Sequence, residues 1–232
     1  MDKYVLIVAG GKGLRMGGDL PKQFIPMRGK PLLMHTLEAF HRWDASARII
    51  LVLPEDHQPY WNMLCKEIGC KVPHAIVKGG DTRFFSVKNG LDWLLAERRR
   101  KGEGDSGLSL VAVHDGVRPF VSPEVVEACF DKAAVTGAVI PVVPMIDSLR
   151  ETDEKGSHPV DRSRYMAVQT PQVFLLELLT KAYEQPYSSL FTDDASVVEA
   201  MGHAIDTVPG DRENIKITTP FDLLIAEAMF AR

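Results

Sequence analysis

Short runs of apolar and β-branched residues recur along the chain, and they restrict its possible folds more than any other feature. They lie at Tyr4–Val8, Arg48–Leu53, His74–Val77, Ser109–Val113, Ala138–Val143 and Ile205–Val208. Several runs are apolar at almost every position, which is typical of strands buried on both faces of a parallel sheet. Helical patterns lie between them. This alternation predicts an α/β fold with an open, doubly wound sheet.

The helical patterns are clearest in three places. Ser122-Pro123-Glu124 combines a capping hydroxyl, a proline at the first helical position and an acid in the first turn. Thr219-Pro220 repeats the hydroxyl and the proline. After Thr82, and again after Pro220, apolar residues recur at helical spacing: Val87, Leu91, Leu94 and Leu95 in the first stretch, and Phe221, Leu224, Ile225 and Ala228 in the second.

The segment from Pro144 to about Gln169 differs from the rest of the chain. It is polar, shows little helical period and contains Asp153-Glu154-Lys155-Gly156, which is typical of a hairpin turn. We therefore predict a single domain over residues 1–232, with an inserted β-hairpin arm at about 144–169 that projects from the sheet. Such an arm often packs on a second subunit, so we expect a homodimer.

Charge and cysteine content restrict the partners and the compartment. The 232 residues carry a formal net charge of -4, whereas a general nucleic-acid binder usually has a basic bias. No stretch approaches the ~18 apolar residues that a membrane span needs. The three cysteines, Cys65, Cys70 and Cys129, fit no disulfide framework. The sequence therefore predicts a cytoplasmic protein that binds neither nucleic acid nor membranes.

A glycine-rich segment follows the first predicted strand, where open α/β sheets bind ligands. It reads Ala9-Gly10-Gly11-Lys12-Gly13-Leu14-Arg15-Met16-Gly17 and precedes Pro21-Lys22-Gln23. Glycine amides can cradle a triphosphate, and Arg15 and Lys22 add positive charge. The dinucleotide fingerprint lacks its last small residue because Met16 stands there, and the P-loop is excluded because Gly13 replaces its hydroxyl residue.

Further motifs stand in order along nearly the whole chain. They are Gly79-Gly80-Asp81-Thr82-Arg83 with Ser86-Val87, His114-Asp115-Gly116-Val117-Arg118-Pro119, Asp161-Arg162, Gln169-Thr170-Pro171-Gln172, Thr192-Asp193-Asp194-Ala195-Ser196 and Asn214-Ile215-Lys216-Ile217-Thr218. The glycine loop resembles that of the sugar nucleotidyltransferases. With the other motifs, the sequence resembles the 2-C-methyl-D-erythritol 4-phosphate cytidylyltransferase family of the nonmevalonate isoprenoid pathway.

The resemblance implies a fold and a reaction. The fold would be a Rossmann-like open, mostly parallel sheet of the nucleotidyltransferase type with a projecting β-hairpin arm. The reaction would transfer CMP from CTP to 2-C-methyl-D-erythritol 4-phosphate, giving 4-diphosphocytidyl-2-C-methyl-D-erythritol and pyrophosphate. A divalent cation, Mg²⁺, would assist.

The resemblance also implies roles for individual residues. The nucleotide loop would comprise Ala9, Gly10, Gly11 and Gly13, and cytosine and ribose would be held by Gly80, Asp81 and Ser86. Arg15 and Lys22 would stabilise the pentavalent α-phosphate and the leaving pyrophosphate. Asp115 would sit at the metal ion. The sugar phosphate would be held by Ser148, Arg162, Thr170 and Lys216, with the arm residues supplied by the neighbouring subunit.

The chain departs from the family pattern in three places. Val8-Ala9-Gly10-Gly11 stands where Pro-Ala-Ala-Gly is common, and Gly116-Val117 stands where two alanines are common. In the arm, Ser148 replaces a threonine but keeps the hydroxyl. The first change moves the loop toward the broader nucleotidyltransferase pattern and bears on base specificity.

The implied chemistry agrees with the residue types present. A phosphate monoester has a second pKa of ~6 and is already largely dianionic near neutral pH, so it needs no general base. Charge builds on the phosphates, so catalysis depends on positioning and charge stabilisation. Asp115, at a predicted strand end, suits a hard cation. We interpret His114 as structural, Arg118 as loop support or ligand contact, and Asp193 and Asp194 as a helix start.

Other functions remain open from the sequence. A ribitol-5-phosphate cytidylyltransferase would share the fold and act on a substrate of similar size and charge. A guanylyl- or thymidylyltransferase would share only the glycine loop. A non-catalytic nucleotide-binding regulator is a further alternative. Arg15, Lys22, Asp115 and Lys216 favour an enzyme, because a sensor need not keep charges aimed at a transition state.

Overall fold

The apolar runs form the strands of one central sheet in the computed structural model, which describes residues 1–11, 20–103, 107–154 and 156–231. In chain order the described strands are β1 (Asp2–Val8), β2 (Pro26–Met27), β3 (Lys30–Pro31), β4 (Arg48–Leu53), β5 (His74–Lys78), β6 (Ser109–Asp115), β7 (Ala138–Pro144), β8 (Arg150–Asp153), β9 (Gly156–Pro159), β10 (Met166–Val168), β11 (Gln172–Leu175) and β12 (Asp206–Pro209). The pairs β2–β3 and β8–β9 form two small sheets apart from the central one. All six predicted strands are confirmed.

Helices cover the sheet. They are α1 (Leu32–Trp43), α2 (Gln58–Ile68), α3 (Arg83–Arg100), α4 (Pro123–Thr136), α5 (Leu176–Ala182), α6 (Asp194–Glu199) and α7 (Pro220–Phe230). Of the described helices, none has the length and apolar character that crossing a membrane requires. The predicted helix starts are confirmed, because Ser122, Thr219 and Thr82 each accept a hydrogen bond from the backbone N–H three residues later.

The sheet is mostly parallel, as predicted. Its order is β7–β11–β6–β1–β4–β5, and β10 and β12 also pair with β7. β1 runs parallel to both neighbours, with Val8 opposite Val52 on one side and Asp115 on the other. β11 runs antiparallel to β6 and β7. The carboxyl ends of β1, β4 and β6 therefore lie level at one edge of the sheet.

The core has two layers, one on each face of the sheet. Alternate residues of β1 separate the layers: Ile7 packs in the cluster that contains Phe40 of α1, and Leu6 packs in the cluster that contains Leu91 of α3. Since side chains alternate along a strand, an all-apolar strand is what a sheet covered on both faces requires.

The hairpin of the predicted arm is present as a separate two-stranded sheet, but the predicted bounds of 144–169 are too wide, because Pro144 and Met166–Val168 pair within the central sheet. β8 and β9 pair antiparallel, from Arg150 opposite Pro159 to Asp153 opposite Gly156. All eight residues of the two strands are exposed. The turn falls at the predicted tip, although Lys155 lies outside the described residues.

Candidate active site

A cleft of about 360 Å³ opens at the edge of the sheet where β1 and β6 end. Its lining contains the predicted residues Ala9, Gly10, Gly11, Lys22, Gly80, Asp81, Ser86, Asp115 and Lys216. These residues come from four separate parts of the chain, and the fold brings them together. Gly13 and Arg15, which the sequence also predicts at this site, lie outside the described residues.

Gln23 holds the start of the glycine loop in place. The Gln23 side chain is buried, and its amide donates a hydrogen bond of 2.9 Å to the carbonyl oxygen of Ala9. This contact ties the short 3-10 turn Lys22–Phe24 to the end of β1. A Cβ atom added to Gly11 would lie 3.5 Å from Lys22 Cε. The lysine side chain therefore runs alongside the loop backbone.

The loop after β5 is shaped by Gly80 and Ser86. The Ser86 hydroxyl accepts a hydrogen bond from the Gly80 N–H at 3.1 Å and donates to the Thr82 carbonyl at 2.9 Å. A Cβ atom on Gly80 would lie 2.4 Å from Phe85 Cβ, so the loop has room only for glycine there. Asp81 is exposed at the mouth of the cleft.

Asp115 is surrounded by three cations. Its Oδ2 lies 3.0 Å from Lys216 Nζ and accepts a hydrogen bond of 3.2 Å from Arg118 Nε. Its Oδ1 lies 3.9 Å from Arg83 Nε. Burial raises the pKa of the Asp115 carboxyl. The charges of Lys216, Arg83 and Arg118 lower it by more, so the pKa lies well below its usual range. Asp115 is therefore a carboxylate at neutral pH.

Asp115 is the only acidic side chain of the cleft lining that lies against this cation cluster, and the described residues contain no group of three or more metal-ligating side chains. Among these residues Oδ1 accepts no hydrogen bond, so one carboxylate oxygen is available. Mg²⁺ typically takes one or two carboxylates together with substrate phosphates and water. The donor set therefore fits an ion that is held mainly by a triphosphate.

His114 lies beneath Asp115 and is fully buried. Its Nε2 lies 3.1 Å from the Arg118 carbonyl oxygen, which can only accept, so Nε2 carries the proton. Nδ1 therefore accepts a hydrogen bond of 3.0 Å from the Thr170 hydroxyl, which itself accepts one from the Asp115 N–H. Burial lowers the pKa of His114 to about 4. These contacts agree with the structural role predicted for it.

A second chain segment fixes Lys216 beside Asp115. Arg118 donates a hydrogen bond of 2.7 Å to the carbonyl oxygen of Asn214. The buried Asn214 side chain donates one of 2.8 Å to the carbonyl of Thr170. The backbone N–H of Ile217 bonds Val117. Arg118 thus supports the site through both Asp115 and the C-terminal segment.

Three predicted sugar-phosphate residues do not line the cleft of the single chain. Ser148 and Arg162 are exposed on the arm, where the Arg162 guanidinium donates to the carbonyl of Ile146. Thr170 is buried, and its hydroxyl is engaged by His114 and Asp115. Only Lys216 of this group reaches the cleft.

The acidic pair at the start of α6 divides into two roles. Asp193 caps the helix, as interpreted from the sequence, since its side chain accepts from the Ser196 N–H at 2.9 Å. Asp194 turns inward and pairs with Arg83. Sequence reasoning gave Arg83 no role. The sequence feature that could have indicated a role for Arg83 is its position at the end of the glycine motif that begins at Gly79, directly after the predicted helix start at Thr82.

Two departures from the family pattern meet in space. A Cβ atom on Gly116 would lie 2.8 Å from Ala9 Cβ and 3.3 Å from the Val8 carbonyl oxygen. The backbone N–H of Gly116 also donates to that carbonyl at 2.9 Å. The loop after β1 and the loop after β6 therefore approach each other more closely here than an alanine at position 116 would allow.

The chain is similar to known proteins over nearly its whole length. Residues 4–232 match the family model for 2-C-methyl-D-erythritol 4-phosphate cytidylyltransferase (IspD). The enzyme of that name from Bacteroides fragilis is 56% identical over 99% of this chain and 100% of its own length. The crystal structure of the Thermus thermophilus enzyme superimposes with a TM-score of 0.74 at 32% identity, covering 100% of both chains. That of 4-diphosphocytidyl-2C-methyl-D-erythritol synthase from Anaerococcus prevotii gives a TM-score of 0.79 at 28% identity, covering 100% of this chain and 96% of that one. The chain therefore belongs to the 2-C-methyl-D-erythritol 4-phosphate cytidylyltransferase family.

Proposed function

We propose that this protein transfers CMP from CTP to 2-C-methyl-D-erythritol 4-phosphate, releasing pyrophosphate and forming 4-diphosphocytidyl-2-C-methyl-D-erythritol for isoprenoid synthesis. The observation that carries the proposal is the cleft itself. Glycine backbone lines it together with the cations Lys22, Lys216 and Arg83, around one ionised carboxylate. A site of this kind suits the transfer of one anionic group to another.

The residues act by position and charge. Gly10 and Gly11 let the backbone approach the triphosphate, and Lys22 stabilises the charge that develops on the α-phosphate and pyrophosphate. Lys216, whose side chain is 43% exposed, faces the incoming sugar phosphate. No side chain has to take a proton, because the attacking phosphate is already largely dianionic. His114 agrees with this, since it is neutral and turned inward.

A divalent cation completes the nucleotide half of the site in this proposal. Asp115 Oδ1 is the oxygen that would hold Mg²⁺ beside the phosphates. When bound, the ion would neutralise phosphate charge and polarise the phosphoryl oxygens. Lys216 and Arg118 keep Oδ2 engaged, so the carboxylate presents a single oxygen in a fixed direction.

The sugar-phosphate half is completed by a second copy of the chain. Support comes from the arm, where Ser148 and Arg162 are exposed and do not line the cleft. Lys216, in contrast, lines the cleft and is partly exposed to solvent. Exposed apolar side chains at the base of the arm provide a surface for contact: Ile146, Tyr165, Met166 and Val168. We propose a cytoplasmic homodimer in which each arm brings Ser148 and Arg162 to the other chain's cleft.

Pyrophosphate release tests the function directly. CTP, UTP, GTP and dTTP are each paired with 2-C-methyl-D-erythritol 4-phosphate and with ribitol 5-phosphate. We expect release mainly from CTP with the methylerythritol substrate. Preference for ribitol 5-phosphate would replace the proposed acceptor, and nucleotide binding without release from any pair would indicate a regulator.

A further inference from the structure

A buried ion pair lies directly behind the cleft. Asp194 is 0% exposed. Arg83 donates to it twice, from Nη1 to Oδ1 at 2.9 Å and from Nη2 to Oδ2 at 2.6 Å. The Tyr183 hydroxyl also donates to Oδ1, at 2.6 Å. A bidentate pair of this kind fixes the plane of the guanidinium as well as its position.

The pair resists opening. If Arg83 turned away, Asp194 would keep only neutral partners in the interior, where an unpaired carboxylate is strongly destabilising. Burial lowers the pKa of Arg83, but the charge of Asp194 raises it above its usual value, so the cation is permanent. Tyr183 is fixed in turn, because its ring stacks on Phe84 with centroids 4.7 Å apart.

The third nitrogen of Arg83 faces the cleft. Nε lies 3.9 Å from Asp115 Oδ1, which is too far for a hydrogen bond but close enough for strong attraction. Oδ2 of the same carboxylate is already bound by Lys216 and Arg118. Arg83 therefore attracts Oδ1 without occupying it.

We propose that Arg83 is a positioning residue for the transfer reaction. Asp194 and Tyr183 fix its guanidinium, and the guanidinium in turn fixes the Asp115 carboxylate with Oδ1 open to the cleft. The inference rests on the proposed role of Asp115 at the triphosphate. It gives α6 a part in catalysis, although α6 contributes no residue to the cleft lining.

A variant without the whole network separates positioning from stability. Arg83→Met, Asp194→Leu and Tyr183→Phe are combined in one chain, which leaves no buried charge or hydroxyl unpaired, so we expect it to fold with an unfolding midpoint near that of the unaltered protein. We expect kcat to fall about 100-fold, because the carboxylate loses its fixed orientation. CTP affinity, measured by calorimetry, should change much less. A stable triple variant with unchanged kcat would overturn the inference.

A milder pair of variants decides the question if the triple variant does not fold. Tyr183→Phe removes one hydrogen bond to Asp194 and keeps the ring stack, and we expect kcat to fall about fivefold. Tyr187→Phe is the matched control, since Tyr187 also contacts Phe84 but is half-exposed. Equal kcat in both variants would refute the role of Arg83. Absence of cytidylyl transfer by the unaltered protein would instead refute the proposed function.

Discussion

At the scale of single residues, the main feature of the site is the arrangement of charges around Asp115. Asp115 is held by Lys216, Arg118 and Arg83, which approach from three parts of the chain. Sequence motifs pointed to most residues that line the cleft, because the motifs stand in the same order as in the family that the chain resembles. They gave no role to Arg83, and they did not show that Thr170 faces inward, because both depend on partners distant in sequence.

The first prediction concerns Lys22. We expect Lys22→Ala to lower kcat by about 100-fold or more, because one charge partner of the transition state is lost. The free energy of unfolding should change little. Lys66→Ala, on the exposed surface of α2, is the control. Steady-state kinetics with CTP saturating provides the measurement, and near-normal kcat in Lys22→Ala would exclude the catalytic role.

A second prediction follows from His114. An unfolded histidine takes up a proton near pH ~6.5, whereas burial lowers the pKa of His114 in the folded chain to about 4. The contribution of neutral His114 to the free energy of unfolding is therefore complete above pH ~6.5. It is lost as the pH falls toward 4, by up to about 3 kcal/mol. Urea unfolding between pH 7 and 4.5 measures it. His114→Gln should show a shallower loss, and parallel curves would disprove the assignment.

At the scale of elements, pattern strength decided what could be predicted. Runs that are buried on both faces, such as those in β4 and β6, are visible because consecutive apolar residues fill most of each strand, Ile49–Leu53 in the first and Leu110–Val113 in the second. β10 and β11 have only three and four residues, and so short a run carries a weak pattern; of the short strands in the central sheet, the sequence indicated β12 but neither of these. Their pairing with β7 is set by tertiary contacts. The reversal of β11 within a mostly parallel sheet was therefore outside what the sequence could indicate.

The third prediction tests how closely α3 packs on the sheet. A Cβ atom on Gly90 would lie 2.7 Å from Leu6 Cδ2 and 3.1 Å from Val52 Cγ2. Alanine improves helix propensity by up to about 1 kcal/mol, but overpacking costs about 1–3 kcal/mol. We expect Gly90→Ala to destabilise the protein in urea unfolding, whereas Lys88→Ala, on the same helix, should have little effect. A stabilised Gly90→Ala protein would contradict this packing.

At the scale of the whole molecule, the cleft gathers residues that we propose for the nucleotide, whereas most of those proposed for the acceptor lie outside it. The glycine loop, Asp115 and Lys216 meet within the chain. The arm extends away as its own sheet. A polar hairpin could be predicted from composition, but what it contacts depends on assembly.

The fourth prediction uses mixed dimers. Under the proposed shared site, we expect Lys22→Ala to impair the nucleotide half of its own chain and Arg162→Ala to impair the arm that serves the partner. Each variant alone should be nearly inactive. A mixed dimer should contain one intact site and one doubly altered site, so an equal mixture should regain about one quarter of full activity. Pyrophosphate release after subunit exchange measures this. Activity no higher than that of the parents would exclude shared sites.

The point where the arm joins the sheet also bears on how such enzymes diverge. Pro144 and Met166 lie opposite each other across β7 and β10, so the chain leaves and re-enters the sheet at one place. An arm of any length between these two residues leaves the pairing of β7 with β11 and β12 unchanged. With the acceptor held by the arm, as proposed, acceptor choice would change through the arm while the nucleotide chemistry stays under separate constraint. The same junction is where an arm from a relative with another acceptor could be grafted.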